Sequence, residues 1–240
     1  MAASPPSRRE FVRFAFYKAE PGWRQLEPGA RKDAVAEVEG VVARYAEGMM
    51  IRPYSTVGVR ADTDYCFWTA SHELDSIQDF ARDFGNTRLG RASANAHSFL
   101  SMTKRSIYLD QHTHPGQERL HIKPSKSKYV FVYPFVKTRQ WYLLPKEERQ
   151  RVMDEHIGIG HKYPSVKINT TYSFGLDDQD FVVAFETNEP ADFLDLVMDL
   201  RETESSLYTV RDTPIFTCVS KPLPEVIADL GGTTRSHRGF

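Results

Sequence analysis

Residues 175–197, "GLDDQDFVVAFETNEPADFLDLV", echo residues 58–80, "GVRADTDYCFWTASHELDSIQDF". Each stretch opens on a glycine, passes an acidic turn and an aromatic-rich strand, then a polar cap, and enters an amphipathic helix. In the earlier helix Leu74, Ile77, Phe80, Ala81 and Phe84 recur at helical spacing. In the later one Phe193, Leu194, Leu196, Val197 and Leu200 do the same. Working outward, the first copy reads strand 11–17, helix 31–45, strand 54–60, strand 64–69, helix 73–84, strand 97–109. The second reads strand 128–135, helix 146–160, strand 166–175, strand 181–186, helix 191–204, strand 208–219. Both orders are βαββαβ, the ferredoxin-like order. An antiparallel sheet with helices on one face leaves its other face to pack elsewhere. The expectation is an α+β chain of two duplicated ferredoxin-like halves forming one compact unit, with halves at 10–109 and 128–230. Residues 110–127, with Pro115 and Gly116, read as a linker. Residues 1–9 and 231–240, small, polar or charged, read as disordered tails.

Composition narrows the function classes. The chain has 240 residues, 40% hydrophobic and 26% charged, with a formal net charge of −1. That is enough to build a core, and it leaves no electrostatic footprint for nucleic acid or a membrane surface. Residues 1–11, "MAASPPSRREF", hold no apolar signal region, and no run is long enough to span a bilayer. The expected location is cytoplasmic. Cys66 and Cys218 lie in β-like apolar runs and read as reduced core residues.

Titratable residues in apolar settings are the candidates for chemistry. His156 shares a helix face with Val152, Met153 and Ile157, on a helix opened by Pro145 and closed by Gly158, Gly160 and Pro164. It reads either as a core histidine satisfied by a neighbour or as an axial metal ligand. No second His or Cys stands at zinc-like spacing on that helix. A lone His ligand with apolar neighbours suits haem, where the porphyrin supplies the remaining donors. Upstream, "YPFVKTRQWYLLP" (133–145) places Tyr133 and Lys137 at a strand end, with Trp141 four residues on. They read as surface or core residues, or as a phenol able to undergo oxidation beside a cation.

The run "YPFVKTRQWYLLPKEERQRVMDEHIGIGHKYP", with "GLDDQDFVVAFET" and "LRETESSLY", resembles the chlorite dismutase superfamily, and within it the coproheme decarboxylases, the hydrogen-peroxide-dependent haem synthases. The likeness covers most of the chain and is densest from Arg119 to Val219. It implies a duplicated ferredoxin-like fold of the dimeric α/β-barrel type and a homopentamer. By that resemblance His156 is the iron ligand, and Glu204 hydrogen-bonds its imidazole. Tyr133 forms the radical, and Lys137 stands beside it. Arg119 and Ser206 hold porphyrin propionates, and Trp141 lies near the porphyrin's proximal side. True chlorite dismutases carry a distal arginine seven residues before the glycine of "GLDD"; here that position is Ile168. One decarboxylase branch has glutamine there, and another takes a distal histidine from the linker. "DQHTHPGQERL" offers His112 and His114, with His121 just beyond; His114, nearer Arg119, is the expected distal base.

The implied reaction is peroxide-dependent oxidative decarboxylation of two propionates of iron coproporphyrin III (coproheme) to vinyls. It yields haem b through a three-propionate intermediate, with a tyrosyl radical at Tyr133. A non-catalytic haem-binding protein remains the alternative, followed by a chlorite dismutase or a dye-decolorising peroxidase, each of which needs a polar distal residue that Ile168 does not supply. A transient contact with the upstream coproporphyrin ferrochelatase is a further expectation, which no residue of the sequence carries.

Overall fold

The computed structural model describes residues 8–108 and 120–231. In chain order its elements are β1 (Phe11–Ala19), α1 (Pro21–Arg24), α2 (Pro28–Tyr45), β2 (Met50–Ser55), β3 (Tyr65–Ser71), α3 (Leu74–Gly85), α4 (Arg88–Arg91) and β4 (Ser93–Met102). There follow β5 (Tyr129–Lys137), α5 (Arg139–Leu143), α6 (Lys146–Gly160), β6 (Lys167–Tyr172), β7 (Phe181–Thr187) and α7 (Pro190–Arg201). A 3-10 helix (Glu204–Tyr208), β8 (Thr209–Arg211), β9 (Phe216–Ser220) and α8 (Leu223–Asp229) complete the chain. The described residues form two compact units: 11–99 with 217–231, and 8–10 with 100–108 and 120–216. Among the described residues no helix is long and apolar enough to cross a membrane.

In the unit built on Phe11–Phe99 the strands lie in the order β4-β1-β3-β2-β9. The first four give the 4-1-3-2 order of a ferredoxin-like βαββαβ unit. Central β3, "YCFWTAS", is buried on both faces and pairs antiparallel with β1 (Phe14↔Trp68) and β2 (Tyr54↔Cys66). Aromatic and β-branched side chains suit such a doubly covered strand. Its helix-facing side carries Tyr65 and Phe67, which join Tyr17 of β1, Val38 of α2 and Phe80 and Phe84 of α3 in one core. Cys66 and Cys218 are buried free thiols, as their apolar runs suggest.

In the other unit the order is β6-β7-β5-β8, with Met102 at the end of β4 paired to Tyr172 of β6. Tyr133 of β5 lies opposite Val183 of β7, and Ile168 of β6 opposite Phe185. Phe131, Tyr133 and Phe185 face the helices and pack with Phe193 and Leu196 of α7. The duplication is therefore present at backbone level. Gly58 (φ 78°) and Gly175 (φ 72°), which open the two echoing stretches, both occupy the left-handed region that glycine enters without a Cβ clash.

The α+β class and ferredoxin-like strand order follow the sequence reading; several boundaries do not. Helix α6 spans the predicted residues, whereas the helix expected at 191–204 ends at Arg201 and passes into the 3-10 helix. The strand expected at 208–219 divides into β8 and β9 around Pro214, which has no N–H to donate to a ladder. Part of the expected linker is held by charge-assisted bonds: the Ser125 N–H and hydroxyl both donate to Glu186, and the Ile122 N–H to Glu10. Residues 1–7 and 232–240 of the expected tails lie outside the described residues.

Candidate active site

Helix α6 presents His156. Pro145 stands at its N-cap, and Glu147 and Glu148 occupy the first turn, where carboxylates complement the helix dipole. Val152 is fully buried and anchors the inner face. His156 and Gly160 are one turn apart on the same stripe. A Cβ on Gly160 would point to within 4.0 Å of Ile168 Cδ1. The stripe carrying His156 thus turns toward the sheet face that bears Ile168 and Tyr133.

The imidazole is half-buried, and its Nδ1 lies 3.0 Å from Ser205 Oγ. Burial first, and the charge of Lys137 second, lower its pKa from 6.5 to about 4. His156 is therefore neutral at physiological pH. Its tautomer follows from the groups behind Ser205. Thr203 Oγ1 donates to the Leu200 carbonyl at 2.7 Å, and a carbonyl only accepts, so the Thr203 hydrogen is committed. A hydrogen bond across the 3.3 Å contact between Thr203 Oγ1 and Ser205 Oγ is then one that Ser205 donates. With its hydrogen so placed, Ser205 offers a lone pair to an Nδ1–H on His156, the tautomer that leaves the Nε2 lone pair to a metal.

Glu204 does not reach the imidazole, contrary to the expectation from resemblance. Successive residues of a 3-10 helix point about 120° apart, so neighbours 204 and 205 cannot both face His156. Ser205 points inward, 3% exposed. Glu204 turns out to Arg151 (2.7 Å), which also binds Glu148 (2.6 Å), while the Glu204 N–H donates to Glu155. Glu204 clasps the 3-10 helix to α6 and so sets Ser205 against His156. Ser206 is half-buried, and its N–H donates to the Thr203 carbonyl.

Tyr133, Lys137 and Trp141 occupy β5 and the turn after it. Tyr133 is 8% exposed, its ring stacked on Phe185 at 5.8 Å. Burial, then the Asp212 carboxylate, push its pKa well above 10, with Arg201 opposing, so it stays a protonated phenol. A register shift between Val136, opposite Arg211, and Lys137, opposite Thr209, interrupts the regular pairing of β5 with β8. The Lys137 N–H donates to Asp180, which also accepts from the Tyr142 hydroxyl. Lys137 Nζ donates to the Ser205 carbonyl at 2.7 Å and lies 4.7 Å from the Trp141 ring. Burial lowers its pKa to about 8. Trp141 is 2% exposed in α5, capped by Thr138, and packs with Tyr208 and Tyr108.

Ser205 thus joins Lys137, through its carbonyl, to His156, through its hydroxyl. Neither Ser205 nor Thr203 stood out in the sequence; the only signal was the cluster of capping residues in "RETESS". Asp180, which fixes the strand end, was missed as well. His112, His114 and Arg119 lie outside the described residues. His121 is engaged with Glu10 at 3.3 Å.

The sequence pattern of the family described as "Chlorite dismutase" matches residues 31–221. The chain is 32% identical over 227 residues to a coproheme decarboxylase of Mycolicibacterium smegmatis, covering 92% of this chain and 94% of the relative. It is 30% identical over 206 residues to a chlorite dismutase of Ideonella dechloratans, covering 84% and 72%. Among solved structures it resembles chlorite dismutase from Candidatus Nitrospira defluvii in complex with imidazole, with TM-score 0.84, 27% identity, and 92% and 94% covered. It also resembles a heme-binding protein of Thermus thermophilus, with TM-score 0.81, 26% identity, and 92% and 94% covered.

Proposed function

Because the chain belongs to the chlorite dismutase family, we propose that it is a coproheme decarboxylase, converting two propionates of iron coproporphyrin III to vinyls with hydrogen peroxide to give haem b. The observation that carries the reading is His156, a neutral, half-buried imidazole on α6 whose Nδ1 is engaged by Ser205, so that Nε2 is the nitrogen left to a metal. The residues fit an iron porphyrin: one neutral nitrogen donor is supplied, and the porphyrin brings the other four donors. Ile168 favours the decarboxylase over chlorite dismutation, since an aliphatic side chain neither attracts nor holds an oxyanion.

Bound iron coproporphyrin III supplies the redox chemistry with peroxide and is at once cofactor and substrate. The chain's residues do the rest. Tyr133, held as a phenol by burial, loses an electron and a proton together and, as a radical, takes a hydrogen atom from the β-carbon of a propionate. Loss of a second electron releases carbon dioxide and leaves the vinyl. Each propionic acid side chain with one hydrogen peroxide gives one vinyl, one carbon dioxide and two waters. Lys137, with a pKa near 8, offers a cation or a proton beside the reacting carboxylate. Arg119 and Ser206 hold other propionates, Trp141 flanks the porphyrin, and His114 is the distal base that deprotonates peroxide. The reading carries with it a homopentamer, a cytoplasmic location, a three-propionate intermediate, and a transient contact with the coproporphyrin ferrochelatase.

Tyr133→Phe tests the assignment. Coproheme binding should persist, with the same Soret band, while carbon dioxide release is lost; full turnover by this variant would sink the assignment. A haem-binding role without turnover is the second reading, favoured by the likeness to the Thermus protein. It predicts peroxide bleaching of the porphyrin with every carboxyl retained.

A further inference from the structure

We propose that Ser205, backed by Thr203, is the positioning residue for the axial imidazole: it fixes His156 as the Nδ1–H tautomer through a neutral hydroxyl rather than a carboxylate. The inference rests on the reading of His156 as the iron ligand, but the relay itself is a property of the chain alone.

The first proton of the relay is fixed: the Leu200 carbonyl can only accept, so Thr203 Oγ1 donates to it at 2.7 Å. From there the proposed order is that Ser205 Oγ donates across the 3.3 Å contact to Thr203 and accepts from His156 Nδ1 at 3.0 Å. Thr203 and Ser205 are 4% and 3% exposed, so water does not compete for these hydroxyls. The backbone that carries them is held from both sides. Lys137 Nζ binds the Ser205 carbonyl, and Glu155 and Arg151 bind the Glu204 N–H and carboxylate. Ser205 therefore has little freedom to swing its hydroxyl elsewhere.

The partner's chemistry matters as much as its position. A carboxylate at Nδ1 draws the proton strongly and pushes negative charge onto the ring, which makes the imidazole a stronger donor. A hydroxyl whose own hydrogen is spent on Thr203 polarises the ring far less. The imidazole then stays close to neutral and favours the reduced state of a bound iron more than a carboxylate-backed ligand would. Glu204, one residue away, is kept off the ring by its ion pair with Arg151. Thr203 has a part that contact alone does not show. Without it the Ser205 hydrogen has no acceptor and can turn toward Nδ1, which would move the ring proton to Nε2, the nitrogen needed for iron.

The test uses the full chain with ¹⁵N-labelled histidine. First, without porphyrin, long-range ¹H–¹⁵N correlation reads the His156 tautomer. The wild type should be Nδ1–H, Ser205→Ala and Thr203→Val should shift to a mixture or to Nε2–H, and Ser205→Thr should restore Nδ1–H. Should Ser205→Ala fail to fold, Thr203→Val carries the same prediction. Second, iron coproporphyrin III is added. Affinity should fall about 10- to 100-fold in Ser205→Ala, the usual effect of losing an outer-shell partner, and recover in Ser205→Thr. In Ser205→Asp the bound iron should have a lower reduction potential than in wild type. A wild-type Nε2–H tautomer, or one unmoved by Ser205→Ala and Thr203→Val, overturns the proposal. If the tautomer behaves as stated but His156→Ala leaves the Soret band unchanged, the relay stands and the reading of His156 as iron ligand falls.

Discussion

Helices α2 and α6 hold corresponding places in the two copies of the repeat, yet they cover their sheets with different material. Helix α2 lays Ala34, Val38 and Val41 over a layer of stacked and edge-on aromatic rings, including Tyr17, Phe67 and Phe84. Helix α6 buries only Val152 and turns a half-buried histidine toward its sheet. The strand-end Lys137 lies close enough to act on it by charge, and a buried phenol, Tyr133, lies further up the same strand. One copy has filled its interlayer space with apolar volume, and the other has kept polar groups there, their charges suppressed by burial. Desolvating Lys137 and His156 in their charged forms costs free energy, whereas the charge buried on α2 is that of Arg31, whose guanidinium donates to the Arg24 carbonyl. Duplication lets one half supply packing while the other accepts that cost for chemistry.

That division makes ordered predictions. Tyr133→Phe should have the largest effect on activity, abolishing carbon dioxide release while the melting temperature hardly moves; a lost hydroxyl at a site without turnover would change neither. Phe84→Ala, in the filled copy, should destabilise by about 3–5 kcal/mol, seen as a lower denaturant midpoint, because Phe84 is 1% exposed and packs on Tyr17, Tyr65 and Phe67.

Acid should separate the copies next. The folded pKa of His156 is about 4, below the 6.5 of the unfolded chain, so between these values the unfolded state binds the proton first. This group's contribution is complete above pH 6.5 and lost as pH falls to 4, on the order of 2 kcal/mol after discounting for partial exposure. Denaturant titrations of His156→Gln should lack that slope; an identical slope in the variant would contradict the burial argument. The smallest effect belongs to Glu204→Gln. Its ion pair with Arg151 is partly exposed, so thermal melting should show a loss of no more than about 1 kcal/mol.

How far the sequence revealed this depended on the scale of the feature. Periodicity spans a whole element, so the bounds of α6, the two βαββαβ orders and the paired glycines at Gly58 and Gly175 could be read directly. The identity of the imidazole's partner could not. It depends on whether the chain runs on as α-helix past Arg201 or, as observed, breaks at an extended Thr203 and restarts as a 3-10 helix that sets Ser205 against the ring. Local sequence carries little information about that swap, because both geometries tolerate "ETESS". It is set by Lys137, Glu155 and Arg151 gripping the segment from elsewhere in the unit. The split of the last predicted strand was partly visible in Pro214, whereas the role of Asp180 emerged only once β5 and β7 were paired.

The central claim is that the copy with polar groups in its interlayer space decarboxylates coproheme. The most direct measurement is mass spectrometry of the porphyrin while hydrogen peroxide is titrated into the full chain loaded with iron coproporphyrin III. Two carboxyl groups should be lost stepwise, with a three-propionate species rising and then falling as haem b accumulates. Bleaching of a porphyrin that keeps all four propionates would contradict it.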